Sequence, residues 1–235
     1  MPIRAILFDK DGTLADFHAT FTQATFHVLD RLAGSDQEKL AKMAQAVGYD
    51  IAEHRILESS VIIAGSGVDI AQELAPFVDR SDVHAFGPEI DRLYGQICAQ
   101  TVTALPGVPA ALSQLAASDY SLGIATNDSQ ENAKLQAQRL GIDKLMAVVF
   151  GADSGFGPKP GPGMVTGFIE QTGFDCAEIL MVGDSLHDLE AGRRAGAKTL
   201  GVATGPASKE SLEPHADWCL PSVAELPQFM KTLDY

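Results

Sequence analysis

The sequence of 235 residues predicts an α/β fold, in which a doubly wound, Rossmann-like parallel sheet core carries an inserted all-helical domain. Three observations support this fold class. From Ala104 to the C-terminus, short runs of Val, Ile and Leu alternate with helix-like segments, as in parallel strands joined by crossover helices. Most of these runs are apolar throughout, which indicates strands that are buried on both faces. Residues 16–98, in contrast, show no convincing strand pattern apart from the ambiguous run 61–64.

The strands of the core are predicted from the apolar runs, and its helices from the segments between them. The predicted strands are residues 3–9, 120–126, 147–151, 179–184 and 199–203, with a weaker one at 217–220. The predicted helices are residues 109–117, 129–140, 163–172 and 188–195. Because each helix has the length of an ordinary crossover, the sheet is expected to be open and doubly wound.

The inserted segment is predicted to be helical because its apolar residues recur at steps of three and four. One such stripe consists of Phe17, Phe21, Ala24, Val28 and Leu32. Ser35 followed by Glu38 is a capping-box pattern that would open a second helix, and two more helices are expected at 68–78 and 90–98. The predicted domains are an α/β catalytic core of residues 1–15 and 99–235 and a helical domain of residues 16–98.

Composition limits the possible partners. The 31 Asp and Glu residues outnumber the 17 Lys and Arg residues and give a formal net charge of -14. Because such a charge repels nucleic acids and anionic membranes, we expect neither as a partner. An anionic substrate would need local positive charge from a metal ion, a lysine or backbone N–H groups.

Cysteine usage and hydropathy predict the location. Cys98, Cys176 and Cys219 lie far apart and leave one cysteine unpaired in any disulfide scheme, which favours a reducing cytoplasm. The apolar opening stretch is too short for a signal peptide, and the longest uncharged run is broken by prolines and polar residues. We therefore expect a soluble, cytoplasmic protein without a membrane span. The sequence does not decide between a monomer and a homodimer.

The first predicted strand ends in Asp9-Lys10-Asp11-Gly12, where one residue separates two carboxylates. In an extended chain Asp9 and Asp11 would project to the same side, about 7 Å apart. A divalent cation would relieve their repulsion and leave one carboxylate as a nucleophile and the other as an acid and base. Taken alone, an Asp-x-Asp-Gly segment is as typical of a simple turn after a strand.

Polar residues at the other strand ends favour a functional site over a simple turn. Thr126 and Asn127 end the second core strand, Asp184 ends the fourth, and Lys159 follows the third between two prolines. Because the carboxyl ends of parallel strands meet at one edge of a sheet, these residues are expected to lie together.

Each of these residue types meets a need of phosphoryl transfer, in which the protein mainly positions the phosphoryl group and neutralises its oxygens. The candidate phosphate ligands are Thr126, Lys159 and the backbone N–H groups of Asp11, Gly12 and Asn127. Asp184 would complete a metal site with the carboxylates of the first strand. An all-oxygen set of carboxylates, a carbonyl and waters suits Mg2+ rather than Zn2+.

These four segments resemble the four motifs of the haloacid dehalogenase-like superfamily, in its phosphatase branch. The resemblance covers residues 3–14 and 105–226, and the helical insertion lies where one branch of the family carries its cap domain. Within that branch the chain is most similar to phosphoglycolate phosphatase-type enzymes. The resemblance implies a Mg2+-dependent hydrolase whose substrate is a small phosphate ester.

The resemblance also implies a role for each motif residue. Asp9 would be the nucleophile and a Mg2+ ligand, and Asp11 the general acid and base whose backbone carbonyl binds the metal. Thr126 and Lys159 would bind phosphate, with Asp184 as a further metal ligand. Asp188 would orient metal-bound water from the second shell. It could instead be an ordinary first-turn acid of its helix, but its Gly-Asp-Ser context favours the functional role.

Several alternatives compete with this hypothesis. Asp11 argues against a dehalogenase, which lacks this second acid, and Lys39 and Lys42 lie in an ordinary amphipathic helix, unlike the cap lysine of phosphonate-cleaving relatives. Two other functions stay open. A phosphoglucomutase-like enzyme would pass the phosphoryl group to a sugar hydroxyl, and a phosphoacceptor signalling domain would keep it. Nothing in the insertion matches a substrate motif, so the sequence leaves the substrate undecided.

Overall fold

The computed structural model describes residues 2–57 and 59–233 and divides the chain into two compact units. One unit comprises Met1–Asp16 and Thr103–Tyr235, and the other is Phe17–Val102. The second boundary lies four residues beyond the predicted one, because the last helix of the insertion continues to Thr101.

The first unit contains a six-stranded parallel sheet, which confirms the predicted doubly wound α/β fold class. Its strands are β1 (Ala5–Phe8), β4 (Ser121–Ala125), β5 (Met146–Phe150), β6 (Ile179–Gly183), β7 (Lys198–Val202) and β8 (Trp218–Leu220). Their order across the sheet is β5-β4-β1-β6-β7-β8. After β1, the chain therefore forms β4 and β5 on one side of that strand. It then returns and forms β6, β7 and β8 on the other side. Such a reversal of strand order is where ligands bind in open α/β sheets.

Both faces of this sheet are buried, as the apolar runs predicted. Ile6 and Phe8 of β1 belong to one core cluster, and Ala5 and Leu7 belong to another on the opposite face. The helices of this unit are α6 (Val108–Ala117), α7 (Gln130–Arg139), α8 (Gly163–Thr172), α9 (Leu186–Arg194), α10 (Lys209–Leu212) and α11 (Leu226–Leu233). The first cluster contains residues of α6 and α11, and the second contains residues of α8 and α9.

The second unit is mainly helical and has a hydrophobic core of its own. Its helices are α1 (Phe17–Ala33), α2 (Gln37–Val47), α3 (Val61–Ala64), α4 (Gly67–Leu74) and α5 (Val83–Thr101). The structure adds a two-stranded antiparallel ribbon of β2 (Tyr49–Asp50) and β3 (Arg55–Ile56), which the sequence analysis did not predict. Among the described residues, no helix combines the length and the apolar character that crossing a bilayer requires.

Two details of the predicted insertion were wrong. The side chain of Asp36, rather than Ser35, caps α2 by accepting a hydrogen bond from the Lys39 N–H at 2.9 Å. Helix α5 begins at Val83 instead of residue 90, because Asp82 caps it and Pro88 is accommodated inside it. Proline lacks the N–H that an interior helical position uses, yet the helix continues through Pro88.

Candidate active site

The residues predicted at the strand ends lie at one edge of the sheet. Phe8, the last residue of β1, is in register with Ile124 of β4 and Val182 of β6. The N–H of Asp9 donates to the Val182 carbonyl at 2.8 Å, which continues the ladder by one residue. Asp9 and Asp184 therefore leave adjacent strands within one residue of the same level.

A buried lysine lies between two of the predicted acids. The Nζ of Lys159 donates to Asp9 Oδ1 at 2.5 Å and to Asp188 Oδ1 at 2.6 Å. Carboxylate oxygens of Asp9, Asp184 and Asp188 all lie within 4.8 Å of one another, and all three residues are buried. The structure thus brings together four residues that the sequence separates by up to 179 positions.

Burial and mutual repulsion raise the pKa values of two of these carboxyl groups. Burial raises the pKa of Asp9 to about 6, against an opposing effect of Lys159 and with a further increase from Asp188 and Asp11. The pKa of Asp184 is also raised well above its usual range, first by burial and then by the charges of Asp9 and Asp188. Burial alone would lower the pKa of Lys159, but Asp188 and Asp9 together raise it, so the ammonium stays charged.

Asp188 makes two kinds of contact, one at the start of its own helix and one with Lys159. Its backbone N–H and its Oδ2 form a capping box with Ser185, in which Oδ2 accepts from the Ser185 hydroxyl at 2.6 Å. Its Oδ1 accepts from Lys159. Asp188 is therefore both the first-turn acid of α9 and a member of the acidic cluster, whereas His187 beside it is exposed.

Asn127 fixes the loop that carries Lys159. Its Oδ1 accepts from the Lys159 N–H at 2.8 Å, and its Nδ2 donates to the Lys159 carbonyl at 3.0 Å. The side chain of Asn127 thus contributes a contact that the sequence analysis did not consider. The predicted bond from its backbone N–H to phosphate stays a prediction.

The backbone N–H of Gly12 has a different partner from the predicted phosphate. Its N–H donates to the Ala15 carbonyl at 2.8 Å, so the turn itself uses the group that was expected to bind phosphate. Gly12 has a φ of +85°, and a Cβ at this position would collide with the Asp184 carboxylate. Its contribution is therefore the space that allows Asp184 to approach the Asp9–Asp11 turn.

The side chain of Asp11 has an unexpected partner. The Nζ of Lys10 donates to both of its carboxylate oxygens, at 2.6 and 2.5 Å. Burial raises the pKa of Asp11, while Lys10 opposes the rise and Asp128 adds to it. Thr126 is buried, and its hydroxyl accepts from the Asp128 N–H at 3.2 Å. The roles of Thr126 in phosphate binding and of the Asp11 carbonyl in metal binding stay predictions.

Three further residues lie beside the Asp184 carboxylate or the adjoining turn and were missed from the sequence. The Thr13 hydroxyl donates to Asp184 Oδ1 at 3.1 Å. The Thr204 hydroxyl donates to the Gly12 carbonyl at 2.6 Å, and a Cβ on Gly205 would overlap the Asp184 carboxylate. Thr13 follows the Asp-x-Asp-Gly segment directly and was therefore detectable. Thr204 is the first polar residue after the predicted strand 199–203, so the signal used at the other strand ends was also present there.

The chain is similar to known proteins over most of its length. The model of the haloacid dehalogenase-like hydrolase family matches residues 6–202. The N-acetylmuramic acid 6-phosphate phosphatase of Pseudomonas aeruginosa is 28% identical over 92% of this chain and 88% of its own length. The phosphoglycolate phosphatase of Vibrio parahaemolyticus is 28% identical over 95% of this chain and 94% of its own length.

The fold is also similar to that of a solved structure. The crystal structure of a predicted phosphoglycolate phosphatase from Haemophilus somnus has a TM-score of 0.70 and 21% sequence identity, and the match covers 97% of each chain. The predicted enzyme class is a hydrolase of phosphate monoesters, and it agrees with the names of both curated relatives. By the extent of the family match, the chain belongs to the haloacid dehalogenase-like hydrolases.

Proposed function

We propose that this chain is a Mg2+-dependent phosphatase of small phosphorylated metabolites, with Asp9 as the residue that accepts the phosphoryl group. The observation that carries the proposal is the buried cluster of Asp9, Asp184 and Asp188 around the Lys159 ammonium. Such a cluster has no evident structural purpose, since hydrophobic residues would fill the same space with less cost in desolvation.

The residues present fit a divalent magnesium ion. Three ionised carboxylates and one ammonium leave two uncompensated negative charges in a buried site. Burial raises the pKa values of Asp9 and Asp184 first, and the charges of the neighbouring carboxylates raise them further. Carboxylate oxygens without a His or Cys are the ligands that Mg2+ prefers. Asp9, Asp184 and the Asp11 carbonyl would hold the ion, and Asp188 would orient its water.

In the first half of the proposed reaction, an Asp9 carboxylate oxygen attacks phosphorus and the bond to the ester oxygen breaks. Asp11 gives its proton to the departing alkoxide. Lys159 and Thr126 hold phosphoryl oxygens during the transfer, and bound Mg2+ would neutralise charge that develops on them.

In the second half, a water molecule attacks the phosphorus of the aspartyl phosphate on Asp9. Asp11, now a carboxylate, takes the proton of that water, and the bond between phosphorus and Asp9 breaks. Inorganic phosphate leaves, and both acids return to their starting forms.

The relatives suggest the class of substrate. One is named for a sugar acid phosphate and the other for phosphoglycolate, and both are phosphate monoesters of small carboxylic acids. We propose 2-phosphoglycolate as the first compound to test, followed by sugar phosphates. A hexose 1-phosphate belongs in the same screen, because formation of an isomer without free phosphate would indicate a mutase instead.

The direct test is Asp9→Asn, assayed with p-nitrophenyl phosphate in Mg2+ and in EDTA. We expect EDTA to abolish turnover by the wild type, and the variant to be inactive with an unchanged circular dichroism spectrum. Asp119→Asn makes the same chemical change at an exposed position and should leave activity unchanged. Activity that survives in Asp9→Asn, or that is indifferent to EDTA, would contradict the proposal.

A further inference from the structure

Lys10 is buried although it lies between two acidic residues at the edge of the sheet. Its exposed fraction is 1%, and it is among the largest fully buried side chains of the protein. A buried ammonium group is costly unless hydrogen bonds and opposite charges surround it. The contacts of Lys10 therefore indicate what the residue stabilises.

The first set of contacts holds the Asp11 carboxylate. Nζ of Lys10 lies 2.6 Å from Asp11 Oδ1 and 2.5 Å from Oδ2, so both oxygens share one donor group. Side chains of adjacent residues in an extended segment point in opposite directions, and this pair therefore forms only because the chain leaves the strand geometry after Phe8. Two bonds to one ammonium fix the orientation of the carboxylate as well as its position.

The second set of contacts anchors the ammonium itself. Gln136 of α7 is buried, and its Oε1 accepts from Lys10 Nζ at 2.8 Å. Asp128, which precedes α7, places Oδ2 at 3.4 Å from the same nitrogen. Gln136 Nε2 also donates to Asp128 Oδ2 at 3.4 Å, so these anchors are connected to each other.

Two lysines thus form ion pairs with different acids of the site. Lys159 pairs with Asp9 and Asp188, and Lys10 pairs with Asp11. Lys10 is anchored on the helix that follows β4. The acid that Lys10 binds through both oxygens is Asp11, which the proposed reaction uses as its proton carrier.

We propose that Lys10 is a positioning residue for the general acid and base Asp11, and that Gln136 and Asp128 fix Lys10 in turn. This inference rests on the proposed function, because Asp11 carries a proton only in that reaction. It predicts that the loss of Lys10 impairs the protonation of the leaving group more than it impairs binding or attack by Asp9.

The test compares two substrates that differ in their need for an acid. The aryl leaving group of p-nitrophenyl phosphate departs without a proton, whereas an alkyl monophosphate chosen from the substrate screen requires one. The ratio kcat/KM reports only the steps through transfer to Asp9, so it isolates the acid role of Asp11 from its later role as a base. Because a positioned acid contributes about 10²–10⁴-fold, Lys10→Met should lower kcat/KM for the alkyl ester by about 10–100-fold and for the aryl ester by about threefold or less.

The Asp11→Asn background shows whether Lys10 acts by positioning Asp11 or only by stabilising the fold. If Lys10 acts through Asp11, adding Lys10→Met to Asp11→Asn should change kcat/KM for the alkyl ester by about threefold or less. Lys144→Met is the matched control, since Lys144 is exposed and the same atoms are removed, and it should behave like the wild type. Gln136→Met is the second variant and should show the same selective loss in milder form, so it decides the matter if Lys10→Met fails to fold.

The outcomes distinguish the failure of this inference from the failure of the proposed function. Equal losses for the two esters in a folded Lys10→Met or Gln136→Met variant, or additive losses in the double variant, would overturn the role of Lys10. Phosphatase activity that does not depend on Asp9 would instead overturn the proposed function. A selective loss on the alkyl ester that disappears in the Asp11→Asn background supports both.

Discussion

Ionisation of Asp9 should make the metal-free protein less stable as the pH rises, and Asp9→Asn should remove this dependence. Burial raises the pKa of Asp9 from 3.8 to about 6. A carboxyl group with a raised pKa holds its proton more tightly in the folded chain than in the unfolded chain. Its contribution therefore favours folding below about pH 4 and is lost as the pH rises through about 6.

The magnitude follows from the size of the shift. A difference of about two pKa units, at about 1.4 kcal/mol per unit, corresponds to about 3 kcal/mol of unfolding free energy. Asp9 is 7% exposed, so solvent screening reduces this value little. The charge of Asp9 also raises the pKa of Asp184, and its removal should therefore act in the same direction on both groups.

The assay is urea unfolding in EDTA, followed by circular dichroism at a series of pH values from 4 to 7.5. As the pH rises across this range, the unfolding free energy of Asp9→Asn should increase by about 2–3 kcal/mol relative to that of the wild type. Asp119→Asn serves again as the control and should show no such gain. Mg2+ at pH 7.5 should stabilise the wild type more than Asp9→Asn, because the ion binds the folded state through ionised carboxylates. Unfolding free energies of the wild type and Asp9→Asn that run parallel with pH would refute the reasoning.

Two further predictions concern residues that support the site. Gly205→Ala should raise the Mg2+ concentration that gives half-maximal activity by about 10–100-fold, because its Cβ would displace the Asp184 carboxylate. An unchanged Mg2+ titration would contradict this. Asn127→Leu removes two hydrogen bonds to the Lys159 backbone, each worth about 1 kcal/mol, and should weaken inhibition by inorganic phosphate by up to about 30-fold. An unchanged inhibition constant in a folded Asn127→Leu variant would show that the loop keeps Lys159 in place without this side chain.

The strand ends were predictable because the burial of a strand is visible in the strand's own residues. A strand buried on both faces must be apolar throughout, so the first polar residue after it marks the edge of the sheet. This reasoning locates Asp9, Thr126 and Asp184 from the order of residues alone. It also locates Lys159, because a lysine between prolines after a predicted strand has few structural explanations.

The residues that were missed depend on contacts that are distant in sequence. Lys10 and Gln136 are 126 positions apart, and no spacing pattern connects them. Gly12 was interpreted as a donor because its turn was recognised, but its N–H is used within the turn and its missing side chain makes room for Asp184. A local pattern predicts which backbone conformation a glycine permits. It does not predict which side chain will occupy the space that the glycine leaves.

The charges of the site also determine the order in which its ligands should bind. The Lys159 ammonium is already shared by two carboxylates, and the chain as a whole carries a net charge of -14. A phosphate dianion approaching Asp9 would therefore meet repulsion that one lysine does not offset, and long-range attraction does not help it. A divalent cation reverses this balance locally, because the same three carboxylates that repel the phosphate attract the cation. We therefore expect the acidic cluster to bind a divalent cation before phosphate binds beside Lys159.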